Sequence, residues 1–322
     1  MRSLLRSNTL DVLTVRRLIL SAQGFVDDLE KARSTGKPFH NELLKGKTVT
    51  TLFHEASTRT RLSFELAAMN LGANVLPFPV ESSSLLKGES LEDTLETLIA
   101  MGVDAVVLRH AQDGIHLELD QHTHGRLALL NAGDGMSDHP TQGLLDVLTL
   151  YQQAGCSFDD MKKLRLGIVG DIKHSRVVAA TLTIAQTLGV SLKLYAPDAL
   201  APSRATLDHW KTTLFLNDSP EFDVECVLAE VDVVMALRLQ KERLSTAETP
   251  EALEALVRQI QLTPKHLARH ARVKFMHPGP VNWGAELHVD LATHPKSLIH
   301  QQVRNGVAMR MACLLWALLP LP

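Results

Sequence analysis

Lys47-Thr-Val-Thr-Thr-Leu-Phe53, then His54-Glu-Ala-Ser57, then Thr58-Arg-Thr-Arg-Leu-Ser-Phe-Glu-Leu-Ala-Ala-Met-Asn-Leu71, reads as a β-branched apolar run, a short polar turn and an amphipathic helix. A strand that feeds a helix in this way is half of a βαβ crossover, the connection that joins parallel strands. The alternation recurs along the chain. Strands are expected at Lys47–Phe53, Asn74–Phe78, Asp104–Arg109, Leu127–Asn131, Leu164–Val169, Ser191–Tyr195, Val231–Leu237 and Val273–Met276. Helices are expected between most of them, including Thr58–Leu71, Leu91–Met101, Thr141–Gln153, Ser175–Leu188 and Leu298–Leu319. The pattern implies an α/β protein whose parallel sheets are flanked by helices.

With 322 residues the chain has room for two domains of ordinary size. The expected break lies near residues 139–155, where the helix after His139-Pro140 ends at Ala154-Gly155 and a new strand-helix series follows from Leu164. One domain is expected over residues 1–138, completed by a C-terminal helix (298–322) that returns to it, and the other over 139–297. Open α/β sheets bind ligands at the carboxyl ends of their strands, so a crevice between the halves is the expected site.

Bulk properties exclude several classes of function. Hydrophobic residues make up 45% and charged residues 21%, as in ordinary globular proteins, and the formal charge of −3 gives no electrostatic reason for a nucleic-acid or membrane partner. Cys156, Cys226 and Cys313 are far apart and odd in number, which suits small buried residues in a reducing compartment. The apolar stretch Met311–Pro322 is too short to span a bilayer. Arginines at 2, 6, 16 and 17 raise the question of a transit peptide, but Asp27, Asp28 and Glu30 lie in what reads as an ordinary first helix over Thr14–Arg33. A cytoplasmic protein is the simplest expectation.

Three motifs lead nowhere. Gly46-Lys47-Thr48 resembles the tail of a Walker loop, but position 41 is Asn and the triplet precedes a strand. Gly167-Ile-Val-Gly170-Asp171 lacks the glycine spacing of a dinucleotide fingerprint, so no nicotinamide cofactor is expected. His54-Glu55 has no second histidine four residues on from the first, and His122 and His124 have no companion ligands at suitable spacing. No metal and no cofactor are expected.

The sharpest local signal is Ser57-Thr58-Arg59-Thr60-Arg61 at the strand-to-helix turn. First-turn amides of a helix lack intrahelical partners, and the helix dipole adds positive potential there. Three hydroxyls and two guanidiniums complete a dense donor array for a phosphate, since arginine presents a planar fork that matches phosphate oxygens. The plainer reading, in which Ser57 and Thr58 merely cap the helix, would suit a lone Ser-Thr better than the whole string.

This string resembles the carbamoyl-phosphate signature of the aspartate and ornithine carbamoyltransferases, and the chain keeps matching that family in order. Ser82-Ser-Ser-Leu-Leu-Lys87-Gly88-Glu89-Ser90 is similar to the family's mobile serine-lysine loop. Leu108-Arg109-His110, Asn131-Ala-Gly-Asp-Gly, His139-Pro140-Thr141-Gln142-Gly143, Gly170-Asp171-Ile-Lys-His-Ser175-Arg176, Arg238-Leu-Gln240-Lys241-Glu242-Arg243 and His277-Pro278-Gly279-Pro280 each match a family block. The resemblance covers almost the whole chain.

The second substrate separates the two kinds of enzyme. Aspartate brings two carboxylates and calls for cations, which Arg176 and the Arg238-x-Gln240 segment supply. Ornithine enzymes typically carry a cysteine followed by Leu-Pro where this chain has His277-Pro278-Gly279-Pro280, and their Ser-Met-Gly loop is absent around residues 235–245. Aspartate is the expected substrate.

Carried over position by position, the resemblance implies that Ser57, Thr58, Arg59 and Thr60 bind the phosphate of carbamoyl phosphate. It implies that Thr60, Arg109 and His139 converge on the carbonyl oxygen, and that Gln142 with the backbone carbonyls of Pro278 and Gly279 holds the carbamoyl NH2. Arg176 would take the α-carboxylate of aspartate, and Arg238 with Gln240 the side-chain carboxylate. Ser83 and Lys87 would reach in from a neighbouring subunit and close over both substrates, which implies an oligomer, in this family a trimer. The family's usual arginine is replaced by Trp283. Either the loop has lost a cation that orients Glu286 or stabilises the closed state, or the swap is compensated elsewhere. An ornithine-type enzyme and an inactive scaffolding member are the rival readings, and whether regulatory or dihydroorotase partners bind is left open.

Overall fold

The computed structural model describes residues 1–39, 41–210, 224–240 and 250–320. They form two compact units: Met1–Leu148 with Val303–Pro322, and Thr149–Gln302. Both unit boundaries along the chain fall inside helices, α5 (Pro140–Gln153) and α12 (Ile299–Leu318).

The first unit is built on a four-stranded parallel sheet in the order β2-β1-β3-β4, with β1 at Thr48–Phe53, β2 at Asn74–Pro77, β3 at Ala105–His110 and β4 at Ala128–Asp134. Helices α1 (Val12–Thr35), α2 (Thr58–Asn70), α3 (Leu91–Ala100) and α4 (Ile115–Thr123) join α5 and α12 around it. Side chains alternate across a strand, so Val106 and Leu108 face one way and Ala105 and Val107 the other. All four are buried, as expected of a sheet covered on both faces. Leu52, Val106, Leu108 and Leu129 pack with Leu95 and Leu98 of α3 and Ile115 and Leu119 of α4. Truncating one such leucine to alanine typically costs ~2–5 kcal/mol.

Strand β4 runs three residues beyond the expected Asn131, through Ala132, Gly133 and Asp134. These residues read as a turn in isolation. Asp134 instead pairs antiparallel with Asp138 across a tight return, and all seven strand residues are buried. Beyond β4, Leu4 pairs with Leu130, its N–H donating to Leu129 O (2.8 Å) and its carbonyl accepting from Asn131 N–H (2.9 Å). The N-terminal segment thus covers an edge that would otherwise expose unpaired backbone groups. The arginine-rich start is part of this structure: Arg2 N–H donates to Ala317 O at 3.0 Å, and its guanidinium lies over Trp316 of α12. Helices α1 and α12 together wall a groove of about 410 Å³.

The second unit repeats the architecture, with a parallel sheet ordered β6-β5-β7-β8 from β5 (Arg165–Val169), β6 (Ser191–Tyr195), β7 (Val233–Ala236) and β8 (Lys274–Met276). Around it run α6 (Phe158–Met161), α7 (Arg176–Thr187), α8 (Arg204–His209), α9 (Val224–Leu228), α10 (Pro250–Ile260) and α11 (Pro264–Arg269). All eight expected strands are present. Among the described residues no helix is long and apolar enough to cross a membrane.

Candidate active site

In the first unit, every segment singled out in the sequence leaves the C-terminal end of a parallel strand. Ser57–Thr60 follow β1, Ser83 and Lys87 follow β2, Arg109 is next to last in β3, and His139 and Gln142 follow β4. Parallel strands gather such ends along one rim of the sheet.

Ser57 occupies the N-cap position of α2, yet its side chain makes no capping hydrogen bond; its carbonyl accepts from Arg61 N–H at 3.0 Å. The amides of Thr58, Arg59 and Thr60 fall in the first turn, where helical partners do not exist. Thr60 is buried and Arg59 is exposed. Partial desolvation lowers the Arg59 pKa from the ordinary arginine value.

Arg109 lies beside this turn. It pairs in register with Phe53, and its carbonyl accepts from His54 N–H at 2.9 Å. Its Nε sits 3.4 Å from Glu55 Oε2, and its Nη1 donates to Ala132 O at 3.1 Å. The guanidinium crosses Gly133, which has φ +130°; a Cβ there would lie 2.7 Å from Nη1. Glycine is needed twice over, for backbone conformation and for space. The His54 and His110 rings meet edge to face at 4.7 Å. Desolvation lowers both imidazole pKa values, and for His110 the charges of His54 and His116 add to the fall against Glu55 and Asp134.

His139 is buried at the start of α5, where its carbonyl accepts from Gln142 N–H (2.9 Å) and Gly143 N–H (3.2 Å). Its own N–H donates to Asp138 Oδ1 at 2.7 Å, and Asp138 also takes two hydrogen bonds from Ser7. Burial pushes the Asp138 carboxyl up, opposed by Ser7, His139 and Arg6. At Asp134 burial acts the same way, but His116, the Gly114 N–H and Arg6 outweigh it and the net shift is downward. Ser83 and Lys87 lie on the segment after β2, and exposed Lys87 has no ion-pair partner among the described residues.

In the second unit the same rule holds. Arg176 is the first residue of α7, after β5; Arg238 and Gln240 follow β7; Pro278 and Gly279 follow β8. Lys241-Glu242-Arg243 lie outside the described residues. Two buried carboxylates tie these loops together. Asp171 accepts from His174 Nδ1 at 2.7 Å and from the Gln240 N–H at 3.0 Å, while Gln240 Nε2 donates to His174 O at 2.6 Å. Glu286 accepts from the Asn282 N–H (2.6 Å) and the Leu239 N–H (3.3 Å). The Gly279 N–H donates to His277 Nδ1 at 2.8 Å, which leaves the ring hydrogen on Nε2, 3.1 Å from Glu286 Oε1. Trp283 is 42% exposed, and Glu286 is oriented without its side chain. Among the described residues no group of three His, Cys, Asp or Glu side chains gathers as a metal would need.

Residues 2–152 match the carbamoyl-P binding domain of the aspartate/ornithine carbamoyltransferases, and residues 162–317 match their Asp/Orn binding domain. The chain belongs to the aspartate/ornithine carbamoyltransferase family. An aspartate carbamoyltransferase catalytic subunit from Chloroflexus aggregans is 46% identical over 295 residues, 89% of this chain and 91% of that one. One from Stenotrophomonas maltophilia is 44% identical over 298 residues, 92% and 90% of the two chains. Among solved carbamoyltransferases, the aspartate transcarbamoylase of Trypanosoma cruzi in complex with N-(phosphonacetyl)-L-aspartic acid superposes with a TM-score of 0.82 at 29% identity, covering 99% of this chain and 96% of that one.

The family blocks named in the sequence do not include the groups that hold them. Ser7, Asp146 and Arg310 were not singled out there. For Asp146 and Arg310 a signal existed: each is a charge inside an otherwise apolar helical run, Leu144–Leu148 and Met309–Leu319. Ser7 had none, because its partner Asp138 is 131 residues away.

Proposed function

We propose that the chain transfers the carbamoyl group of carbamoyl phosphate to the amine of L-aspartate, giving N-carbamoyl-L-aspartate and phosphate, the committed chemistry of pyrimidine synthesis in the cytoplasm. The observation that carries this reading is the run of relatives named aspartate carbamoyltransferase catalytic subunit, 44–46% identical across about nine-tenths of the chain. The Trypanosoma cruzi enzyme, solved with carbamoyl phosphate and aspartate, supports the same substrates.

The first unit takes carbamoyl phosphate and the second takes aspartate. Ser57, Thr58, Arg59 and Thr60 bind the phosphate oxygens through hydroxyls, guanidinium and first-turn amides. Thr60, Arg109 and His139 donate to the carbonyl oxygen, polarising it and stabilising the oxyanion of the tetrahedral intermediate; one such donor is typically worth on the order of 3 kcal/mol. Gln142 and the carbonyls of Pro278 and Gly279 hold the carbamoyl NH2. Arg176 binds the α-carboxylate, and Arg238 with Gln240 the β-carboxylate.

The aspartate amine, once neutral, forms the new C–N bond at the carbonyl carbon. The C–O bond to phosphate breaks, and the departing phosphate accepts a proton from the amine. No covalent enzyme intermediate and no separate protein base are required, and fixing both substrates supplies much of the acceleration. Ser83 and Lys87 act on the site of a neighbouring subunit in a homotrimer. The exposed Leu62, Leu66 and Met69 on α2 and Leu86 beside Lys87 support an assembled state.

Calorimetric titration with N-(phosphonacetyl)-L-aspartate tests the reading. The bisubstrate analogue is expected to bind far more tightly than phosphate or aspartate alone. Binding no tighter than phosphate would remove the aspartate assignment.

A further inference from the structure

Helix α5 is apolar over most of its inner length, yet Asp146 sits within it at 0% exposure, one turn beyond Gln142. Gln142 Nε2 and Asp146 Oδ1 are 2.9 Å apart, and both side chains are buried. An ionised carboxylate only accepts hydrogen bonds, so the end of the amide that faces it must be the NH2. The carbonyl end, Oε1, is thereby turned the other way.

Asp146 also feels the charge of a second buried ion. Arg310 of α12 donates through Nη1 to Gly306 O at 3.0 Å, and its guanidinium carbon lies 5.1 Å from the centre of the Phe64 ring on α2. A Cβ at position 306 would approach Nη1 to 2.6 Å, so the absence of a side chain there makes room for the cation. Burial pulls the Arg310 pKa down to about 10, with Cys313 and Asp146 opposing the fall. The guanidinium therefore remains protonated at neutral pH. Cys313 is itself pushed up to about 12 by burial and is a neutral thiol there, which leaves Asp146 as the counter-charge of the two.

We propose that Asp146 is a positioning and specificity residue: its hydrogen bond locks the Gln142 amide with Oε1 toward the ligand, and so selects an acyl phosphate bearing NH2 over one bearing CH3. This rests on carbamoyl phosphate being the substrate. With the amide reversed, the NH2 of Gln142 would meet the NH2 of the ligand, donor against donor. With the lock in place, the Gln142 carbonyl oxygen accepts from the ligand NH2, and a methyl group in that position offers it no donor. The phosphate turn on α2 makes no use of this lock, so phosphate affinity is set independently.

The test compares carbamoyl phosphate, acetyl phosphate and inorganic phosphate by titration calorimetry on the unaltered protein, on Asp146→Asn, and on Asp146→Asn/Arg310→Gln. The unaltered protein should prefer carbamoyl over acetyl phosphate. An asparagine at 146 can donate as well as accept, so the Gln142 amide is free to turn over. The preference should then fall by about tenfold or more, with inorganic phosphate binding unchanged. The double variant, in which both ions are neutral, keeps the comparison meaningful if the single variant does not fold. Unchanged preference in a folded variant, or equal loss for all three ligands, overturns the proposal. An unaltered protein that binds carbamoyl and acetyl phosphate equally also overturns it while leaving phosphate recognition intact. Failure of the unaltered protein to bind carbamoyl phosphate at all overturns the proposed function instead. A neutron structure of the unaltered protein with phosphonoacetamide reads the amide directly: deuterons toward Asp146 are expected, and deuterons toward the ligand refute the lock.

Discussion

Ser7 grips Asp138 twice, its N–H reaching Oδ2 at 2.6 Å and its hydroxyl reaching Oδ1 at 2.7 Å. The same Oδ1 accepts the His139 N–H at 2.7 Å, so a residue in the N-terminal segment fixes the backbone of a proposed oxyanion donor. The carboxylate is buried, and its lone pairs have protein partners in place of water.

Ser7→Ala is therefore expected to cost ~1–3 kcal/mol of stability, the usual penalty for a lost bond to a buried charged group. The turnover number should fall while affinity for inorganic phosphate holds. Kinetics and calorimetry on one preparation would separate the two; equal loss of both would point to a general loosening of the fold.

Gly133→Ala places a methyl group against the Arg109 guanidinium at a backbone conformation that L-residues rarely adopt. Strain of this kind costs about 1–3 kcal/mol. Displacing one oxyanion donor typically lowers turnover by roughly 10²–10³-fold. Steady-state kinetics would check it, and near-normal turnover would show that Arg109 does not act from its place over Gly133.

The lowered pKa values of His54 and His110 give a definite pH dependence. The unfolded histidine takes up its proton near pH 6.5, and the folded one only at lower pH. Between those values the unfolded state binds more protons, so this contribution to stability is fully present above pH 6.5 and is lost as pH falls below it. His110 Nδ1 also accepts the Gln112 N–H at 3.0 Å, a bond only the unprotonated nitrogen can make. His110→Asn, which keeps an acceptor and cannot titrate, should lose less melting temperature than the unaltered protein between pH 7.5 and 5.5. An identical loss would show that His110 does not carry the effect.

If Lys87 acts on a neighbour's site, Lys87→Ala and Arg59→Ala homo-oligomers should each be nearly inactive. Mixing them with subunit exchange should restore part of the activity, because some sites then draw both residues from unaltered chains. No recovery after verified exchange would place Lys87 in its own subunit's site.

The strands were legible because a parallel sheet buried on both faces demands short, β-branched, apolar runs, and Val106–Leu108 or Val233–Ala236 can hardly be anything else. The Ser57–Arg61 turn was legible because its chemistry is local: hydroxyls and guanidiniums at the mouth of a helix. The extension of β4 through Gly133 was not, since Gly and Asp favour turns and the pairings of Asp134 with His110 of β3 and with Asp138 hold them in the sheet. Contacts across the sequence were also hidden, such as Ser7 with Asp138 and Arg310 with Phe64. Trp283 drew attention as a missing cation for Glu286. That carboxylate is served instead by His277 and two backbone amides, donors that no spacing rule reveals.

The most direct measurement is a product assay on the purified protein with carbamoyl phosphate, offering aspartate and ornithine in parallel. Carbamoyl-aspartate with no citrulline is the expected result. Citrulline in its place would contradict the assignment of Arg176, Arg238 and Gln240 to the second substrate, and no product from either amine would contradict the proposed reaction itself.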